Sequence, residues 1–285
     1  MSAPAPGVIG FLAGKTPGGE MALGLLVVVI ATILFFSAES VQGVVNRMNN
    51  RYNVLMDYTA PSDDKALVVH QNLAKYPDAK PILFSENEPS GTEFAYSFFL
   101  FINPTTFTGE NVLYHVWHKG YGCVWPLMGP GVFVRGDTNA LRIVMNTYEN
   151  PYTFVDVTNI PVRKWFHVVL NCHKKGLEVH INGNLTNKIR FDHTLPYLNY
   201  EDIILFSSAN YTLQPTTVVA LKGQALTVQG AFKGYLSEFV YTRYALSFTE
   251  IQSLLNAGPS KKIKTAAMEL PPYLADSWWT TDYSK

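Results

Sequence analysis

Two short segments, residues 165–171 and 177–183, restrict this chain to an antiparallel sheet. In the first, Phe166, Val168 and Leu170 share one face, and His167, Val169 and Asn171 share the other. In the second, Leu177, Val179 and Ile181 repeat the period of two that marks a half-buried strand. The break between them, residues 172–176, is polar and ends in Gly176. Asn182-Gly183 then forms a second tight turn, because both residues tolerate positive φ. Strands joined this closely run antiparallel, with one face toward a core.

The same pattern extends in both directions. Strands are predicted over residues 93–102, 111–118, 131–134, 141–146, 153–156, 165–171, 177–181, 187–191, 202–206, 217–220 and 230–241, with short candidates at 53–58 and 66–71. Short strands separated by Gly, Pro and Asn turns predict a β-sandwich. One soluble helix is predicted over 247–256, because Ser247 and Glu250 have capping-box spacing and Gly258-Pro259 closes it.

Three stretches resemble the laminin G-like, concanavalin A-like lectin/glucanase superfamily. They are the Trp165–Gly183 meander, residues 232–251 (a strand through Phe239, then Ala245-Leu246-Ser247 and Glu250-Ile251), and residues 93–102. Together they cover roughly residues 92–258. The resemblance implies an all-β, two-sheet antiparallel jelly-roll sandwich. That superfamily includes both lectins and glucanases, so catalysis and sugar binding have to be weighed on the residues themselves.

A run without charge, residues 21–38, precedes the strands. As a helix its eighteen residues would span about 27 Å, enough for the hydrocarbon core of a bilayer. A cleaved signal peptide would want a basic start and small residues at the cleavage site, but Phe36 stands there and the first charged side chain is Lys15. The run is therefore read as a single-pass transmembrane helix. It divides the chain into a Gly/Pro/Ala-rich tail (1–20), the anchor (21–38), a polar connector (39–51), the sandwich (52–258) and an aromatic tail (259–285). Lys15 on one flank against Arg47 and Arg51 on the other gives only a slight orientation signal toward a cytoplasmic sandwich. The sequons at Asn184 and Asn210 are glycosylation candidates only if the sandwich faces a lumen or the exterior.

Lys+Arg and Asp+Glu are both 22, which argues against nucleic acid as a partner. The two cysteines, Cys123 and Cys172, admit one bridge or two free thiols. A retaining glycosidase needs paired carboxylates on one face. The E-x-D-x-x-E pattern of the laminarinase-like relatives is absent, and Asp63, Asp64, Glu86, Glu88 and Glu93 lie in turn-rich sequence. His115 and His118 are at odd spacing, so a regular strand points them to opposite faces and disfavours zinc. Asp137, within Arg135-Gly136-Asp137, offers one calcium ligand without a clear second, and a simple turn accounts for the triplet.

The expectation is thus a non-enzymatic, membrane-anchored protein with no catalytic residue, metal or cofactor assigned. Tyr121 and Trp125, in the Gly-rich loop 120–131, and the tail pair Trp278 and Trp279 are candidate contacts for a ligand or partner. One sandwich behind an N-terminal anchor is similar to proteins of large icosahedral DNA viruses. That likeness implies a minor capsid role, linking a membrane to other structural proteins of a virion. The alternative is a carbohydrate-binding or adhesion module displayed on a cell or virion surface.

Overall fold

A computed structural model of the protein describes residues 21, 24–34, 52–62, 65–84, 93–173, 175–191, 194–215, 221 and 225–263. The chain divides into two compact units, Met1–Tyr52 and Asn53–Lys285. In the first, residues 24–34 are helical with every side chain exposed, and Thr32 Oγ1 donates back to the Val28 carbonyl (2.7 Å). No helix among the described residues is long and apolar enough to cross a membrane. The remaining positions of the predicted span (22, 23 and 35–38) lie outside those residues, as do Trp278 and Trp279.

The second unit is a β-sandwich of two mostly antiparallel sheets. Its strands are β1 (Asn53–Pro61), β2 (Leu67–Val69), β3 (Phe94–Ile102), β4 (Leu113–Lys119), β5 (Gly131–Arg135), β6 (Ala140–Met145) and β7 (Thr153–Thr158). They continue as β8 (Trp165–His173), β9 (Gly176–Ile181), β10 (Asn184–Arg190), β11 (Ile203–Leu205), β12 (Asn210–Leu213), β13 (Leu226–Ala231) and β14 (Gly234–Thr242). One sheet runs β1-β14-β3-β8-β9-β10; the other runs β12-β13-β4-β5-β6-β7, with β11 joining β4 to β2. Among the described strands, β13 and β4 pair in parallel.

The β8–β9–β10 meander folds as its alternation predicts. Phe166, Val168, Leu170, Leu177, Val179 and Ile181 all enter the core between the sheets. Asn182 (φ 49°) and Gly183 (φ 80°) make the turn. The core is centred on aromatics, with Trp117 4.8 Å from Phe239, 5.0 Å from Tyr96 and edge-on to Phe98 at 5.6 Å. The Ser247 capping box forms, and the helix it opens, Phe248–Ala257, rests on the Asn182-Gly183 turn. A Cβ added at Gly183 would lie 2.2 Å from Gln252 Nε2.

Two expectations change. Residues 230–241 are not one strand: β13 and β14 belong to different sheets, and the chain crosses between them at Phe232-Lys233-Gly234. Phe232 is fully buried, and Gly234 (φ 156°) passes so close to β3 that an added Cβ would lie 1.9 Å from the Phe101 carbonyl oxygen. Only glycine fits there. Strand β12 is an addition, a short edge strand whose exposed Asn and Thr mask its alternation. The predicted strand 217–220 lies outside the described residues. Cys123 and Cys172 are both free thiols, the first exposed and the second buried.

The outer edge of β1 is closed. Lys80 Nζ donates to the Val54 and Leu55 carbonyls (3.2 and 2.8 Å), Ser260 Oγ donates to the Asp57 carbonyl (2.8 Å), and Thr59 N–H donates to the Lys262 carbonyl (2.7 Å). An edge so occupied does not template further strands.

Candidate functional site

The outward face of the eight-stranded sheet holds a buried histidine pair and a cluster of paired charges. Register alternation puts Phe133 and Arg135 (β5), Arg142 and Val144 (β6) and Phe154 and Asp156 (β7) on that face, because their neighbours Val132, Val134, Leu141, Ile143, Val155 and Val157 face the inter-sheet core. Loop 120–130 covers one part of the face, where Val124 and Met128 form a second apolar cluster with Leu113, Phe133 and Val144.

His115 and His118 lie under that loop and on the same face, contrary to the expectation from spacing. A register shift between His115 and Trp117 inserts one extra residue, so Val116 and Trp117 both turn into the core and His118 returns outward. The two rings then form a short relay. Ser207 N–H donates to His115 Nδ1 (3.0 Å), which leaves the proton on His115 Nε2 to be donated to His118 Nδ1 (2.7 Å). His118 Nε2–H donates to the Tyr121 carbonyl (2.8 Å) and so ties down the start of the loop. Both imidazoles are therefore neutral. Burial holds His115 well below the usual histidine range, and burial brings His118 down to about 4 despite the Tyr121 carbonyl. Each ring's nitrogens are already engaged, and no group of three or more His, Cys, Asp or Glu among the described residues is placed to hold a metal ion.

The uncovered part of the face is a polar depression of about 470 Å³, lined by Asn111, Arg135, Arg142, Phe154, Asp156, Ala225 and Thr227. Asp156 is the carboxylate that both of its arginines share. Arg142 grips it with Nε (2.7 Å) and Nη2 (2.7 Å), and Arg135 Nη1 adds a third bond (2.8 Å). Arg135 also chelates Asp137 through Nε (2.9 Å) and Nη2 (2.5 Å). Two guanidiniums and two carboxylates cancel, so the depression carries no net charge from these four groups. Burial pushes the Asp156 carboxyl up, but hydrogen bonds and charge from Arg142 and Arg135 outweigh it and hold the group below the ordinary carboxylate range. The Arg142 guanidinium lies over the Phe154 ring, 4.1 Å from its centroid, and donates to Tyr152 Oη (3.2 Å). Tyr152 packs against Phe154 (5.1 Å) and Trp125 (6.3 Å).

Of the residues predicted as contacts, Trp125 is thus half-buried at the end of an aromatic row leading to the depression, and Tyr121 is 51% exposed on the same loop. Asp137 is held by Arg135, so the arginine and aspartate of the Arg-Gly-Asp triplet bind each other. Asn184 and Asn210 are exposed, on edge strands β10 and β12. Arg142 and Asp156 were not singled out by sequence. The signal was there: one charge inside each of two apolar strands, of opposite sign, is the mark of a cross-strand pair.

On the other sheet, Ser97 Oγ lies 2.7 Å from His167 Nε2, both sealed from solvent. His167 Nδ1 meets no hydrogen-bond partner among the described residues, so no carboxylate orients the ring as a general base requires.

No family model matches the chain, and no curated protein matches it in sequence. Among solved structures it is similar to the receptor-binding domain of botulinum neurotoxin D, at 13% identity and a TM-score of 0.47, over 71% of this chain and 44% of that one. The binding domain of Paraclostridial Mosquitocidal Protein 1 is similar at 15% identity and a TM-score of 0.46, over 70% and 42%. The binding domain of botulinum neurotoxin DC, in complex with SialylT, is similar at 17% identity and a TM-score of 0.42, over 61% and 38%. The chain spans less than half the length of each of these structures.

Proposed function

We propose that this protein is a non-enzymatic binding module, a jelly-roll sandwich of the concanavalin A-like kind held at a membrane by residues 21–38, and that its ligand is an uncharged saccharide. The observation that carries this reading is the depression at Arg135, Arg142 and Asp156, balanced in charge by Asp137 behind Arg135, beside the Trp125–Tyr152–Phe154 row. Preorganised arginine–aspartate pairs present fixed donors and acceptors to ring hydroxyls, and an aromatic face covers the apolar side of a sugar. A net-neutral site gives an anionic sugar no electrostatic advantage.

A glycan array probed with the full chain in detergent tests this. Reproducible binding to neutral glycans is expected, weakened about tenfold by Trp125→Ala (the equivalent of roughly 1.4 kcal/mol) with the thermal midpoint of the sandwich unchanged. An empty array, or binding indifferent to both Trp125→Ala and Arg142→Met, would overturn it.

A second reading, a minor structural component that ties a virion membrane to its shell, is favoured by the apolar helical stretch at residues 24–34. All its side chains are exposed, and a helix apolar all round is stable only in a core or a bilayer. Co-purification with a membrane-containing particle after salt washing would support it, and release by salt alone would count against the anchor.

A further inference from the structure

Past the end of β6 the chain exposes a second pair of aromatic rings, Tyr148 (70% exposed) and Tyr197 (40%), with Leu195 also largely in solvent (44%). The two tyrosines meet edge to face, their centroids 5.3 Å apart and their planes at 77°. They stand on an isolated antiparallel bridge between Thr147 and Pro196. Tyr148 N–H donates to the Leu195 carbonyl (3.1 Å), and Tyr197 N–H donates to the Asn146 carbonyl (2.8 Å). The turn that carries Tyr148 is closed by its own residues: Thr147 N–H donates to the Asn150 carbonyl (2.9 Å), and Asn150 N–H donates to Thr147 Oγ1 (3.0 Å). Rings on a backbone fixed this way cost little to order when a ligand covers them.

Asn146 joins this pair to the proposed saccharide site. Its buried side chain accepts from Met128 N–H and donates to the carbonyls of Pro126 (2.9 Å) and Pro151 (2.6 Å). Those prolines adjoin Trp125 and Tyr152 of the aromatic row, while the Asn146 carbonyl holds Tyr197. Tyr152 is tied to the same turn, since its N–H donates to Asn150 Oδ1 (2.8 Å). Residues 195–199 also press on loop 120–130: a Cβ added at Gly129 would lie 2.9 Å from the Tyr197 carbonyl oxygen and 2.8 Å from Asn199 Nδ2. Six residues separate Arg142 from Tyr148, roughly 20 Å of extended chain, a span for several linked sugars and not for one. The chemistry of the pair selects the occupant. Residues 146–152 and 195–200 contain no Lys or Arg, and their one charged side chain is Glu149. Neither segment offers a cation to a phosphate, a sulfate or a sugar carboxylate. Perpendicular rings form a corner rather than a flat patch. A pyranose fits such a corner, its C–H face on one ring and its edge against the other, and a phenol can donate to or accept from its hydroxyls.

We infer that Tyr148 and Tyr197 form a second subsite for the same ligand, which is therefore a neutral polysaccharide chain running from the Arg142 depression past Trp125 to this pair. This rests on the saccharide reading of the depression and adds to it the length of the ligand.

The test is calorimetric titration of the full chain, in a detergent without a sugar headgroup, with the disaccharide and the hexasaccharide of the cello-, malto-, xylo- and laminari- series. In at least one series the hexasaccharide is expected to bind about tenfold or more tighter than the disaccharide. Tyr148→Ala with Tyr197→Ala should erase that advantage and leave disaccharide binding and the thermal midpoint unchanged. Tyr148→Phe with Tyr197→Phe should keep most of it, because the ring supplies the contact. Arg142→Met should weaken both lengths. Equal affinity for the two lengths, or an advantage that survives the double alanine change, overturns the second subsite and leaves the depression as the binding site. Hexasaccharide binding lost in the double alanine variant but untouched by Arg142→Met overturns the depression, and with it a ligand that bridges the two. Binding of neither length overturns both. A dimer dissolved by the double alanine change, with no dependence on sugar length, assigns the pair to a second copy and overturns the inference.

Discussion

Urea unfolding of the sandwich is expected to need much less denaturant at pH 5 than at pH 7.5. Four buried or largely buried histidines cause this: His115, His118, His167 and His180. Burial lowers all four. His118 and His167 are brought down to about 4, with the neighbouring His180 contributing to the shift at His167. In the unfolded chain a histidine takes up its proton near pH 6.5. Between pH 6.5 and 4 the unfolded state therefore binds more protons, and stability falls as pH falls. Each such histidine contributes a slope of about 1.4 kcal/mol per pH unit. For His118 and His167 that amounts to roughly 3 kcal/mol each across the window, against a total stability of the order of 5–15 kcal/mol. His115 and His118 share one hydrogen bond and titrate as a pair. Carboxylates do not mimic the effect: Asp156, Asp137 and Glu178 have lowered pKa values, so their contribution is retained until the pH falls below about 4. His167→Gln, which can still bond Ser97, should flatten the pH slope. A midpoint unchanged between pH 7.5 and 5 would contradict the neutral relay.

Asp156→Ala is expected to cost about 3–5 kcal/mol, because it strands Arg142 in the sheet with one hydrogen bond left to Tyr152. Arg135 loses less, since it keeps Asp137. The paired change Asp156→Leu with Arg142→Met should recover most of that loss, as removing both charges also removes their desolvation cost. Neither variant should bind glycan. Full binding by the paired variant would detach the depression from ligand recognition, while a stability loss below about 1 kcal/mol in Asp156→Ala would mean that solvent screens the pair. Chemical denaturation and a glycan titration on the same samples read both effects.

Much of this fold is legible one segment at a time. The β8–β9 alternation, the Asn182-Gly183 turn and the Ser247/Glu250 cap depend on neighbours within a few residues, and all form as read. What failed depended on partners distant in sequence. The break at Gly234 exists because the Phe101 carbonyl of β3 leaves no room for a Cβ. Strand β12 exists because β13 pairs with it. The outward turn of both His115 and His118 exists because β4 carries one residue more than β5 at Val116.

The candidate site was half visible. Trp125 stood out by type, whereas Arg142 and Asp156 looked like ordinary strand charges until register placed them opposite one another. By itself the sequence determined the sandwich, its helix cap and its apolar N-terminal run, because period, capping and hydrophobicity are local properties of the chain. Tertiary structure alone decided which charges meet, which histidines lose their protons and which leucines and tyrosines remain in water. Those outcomes depend on strand register and burial, which arise only when residues far apart in the chain are brought together.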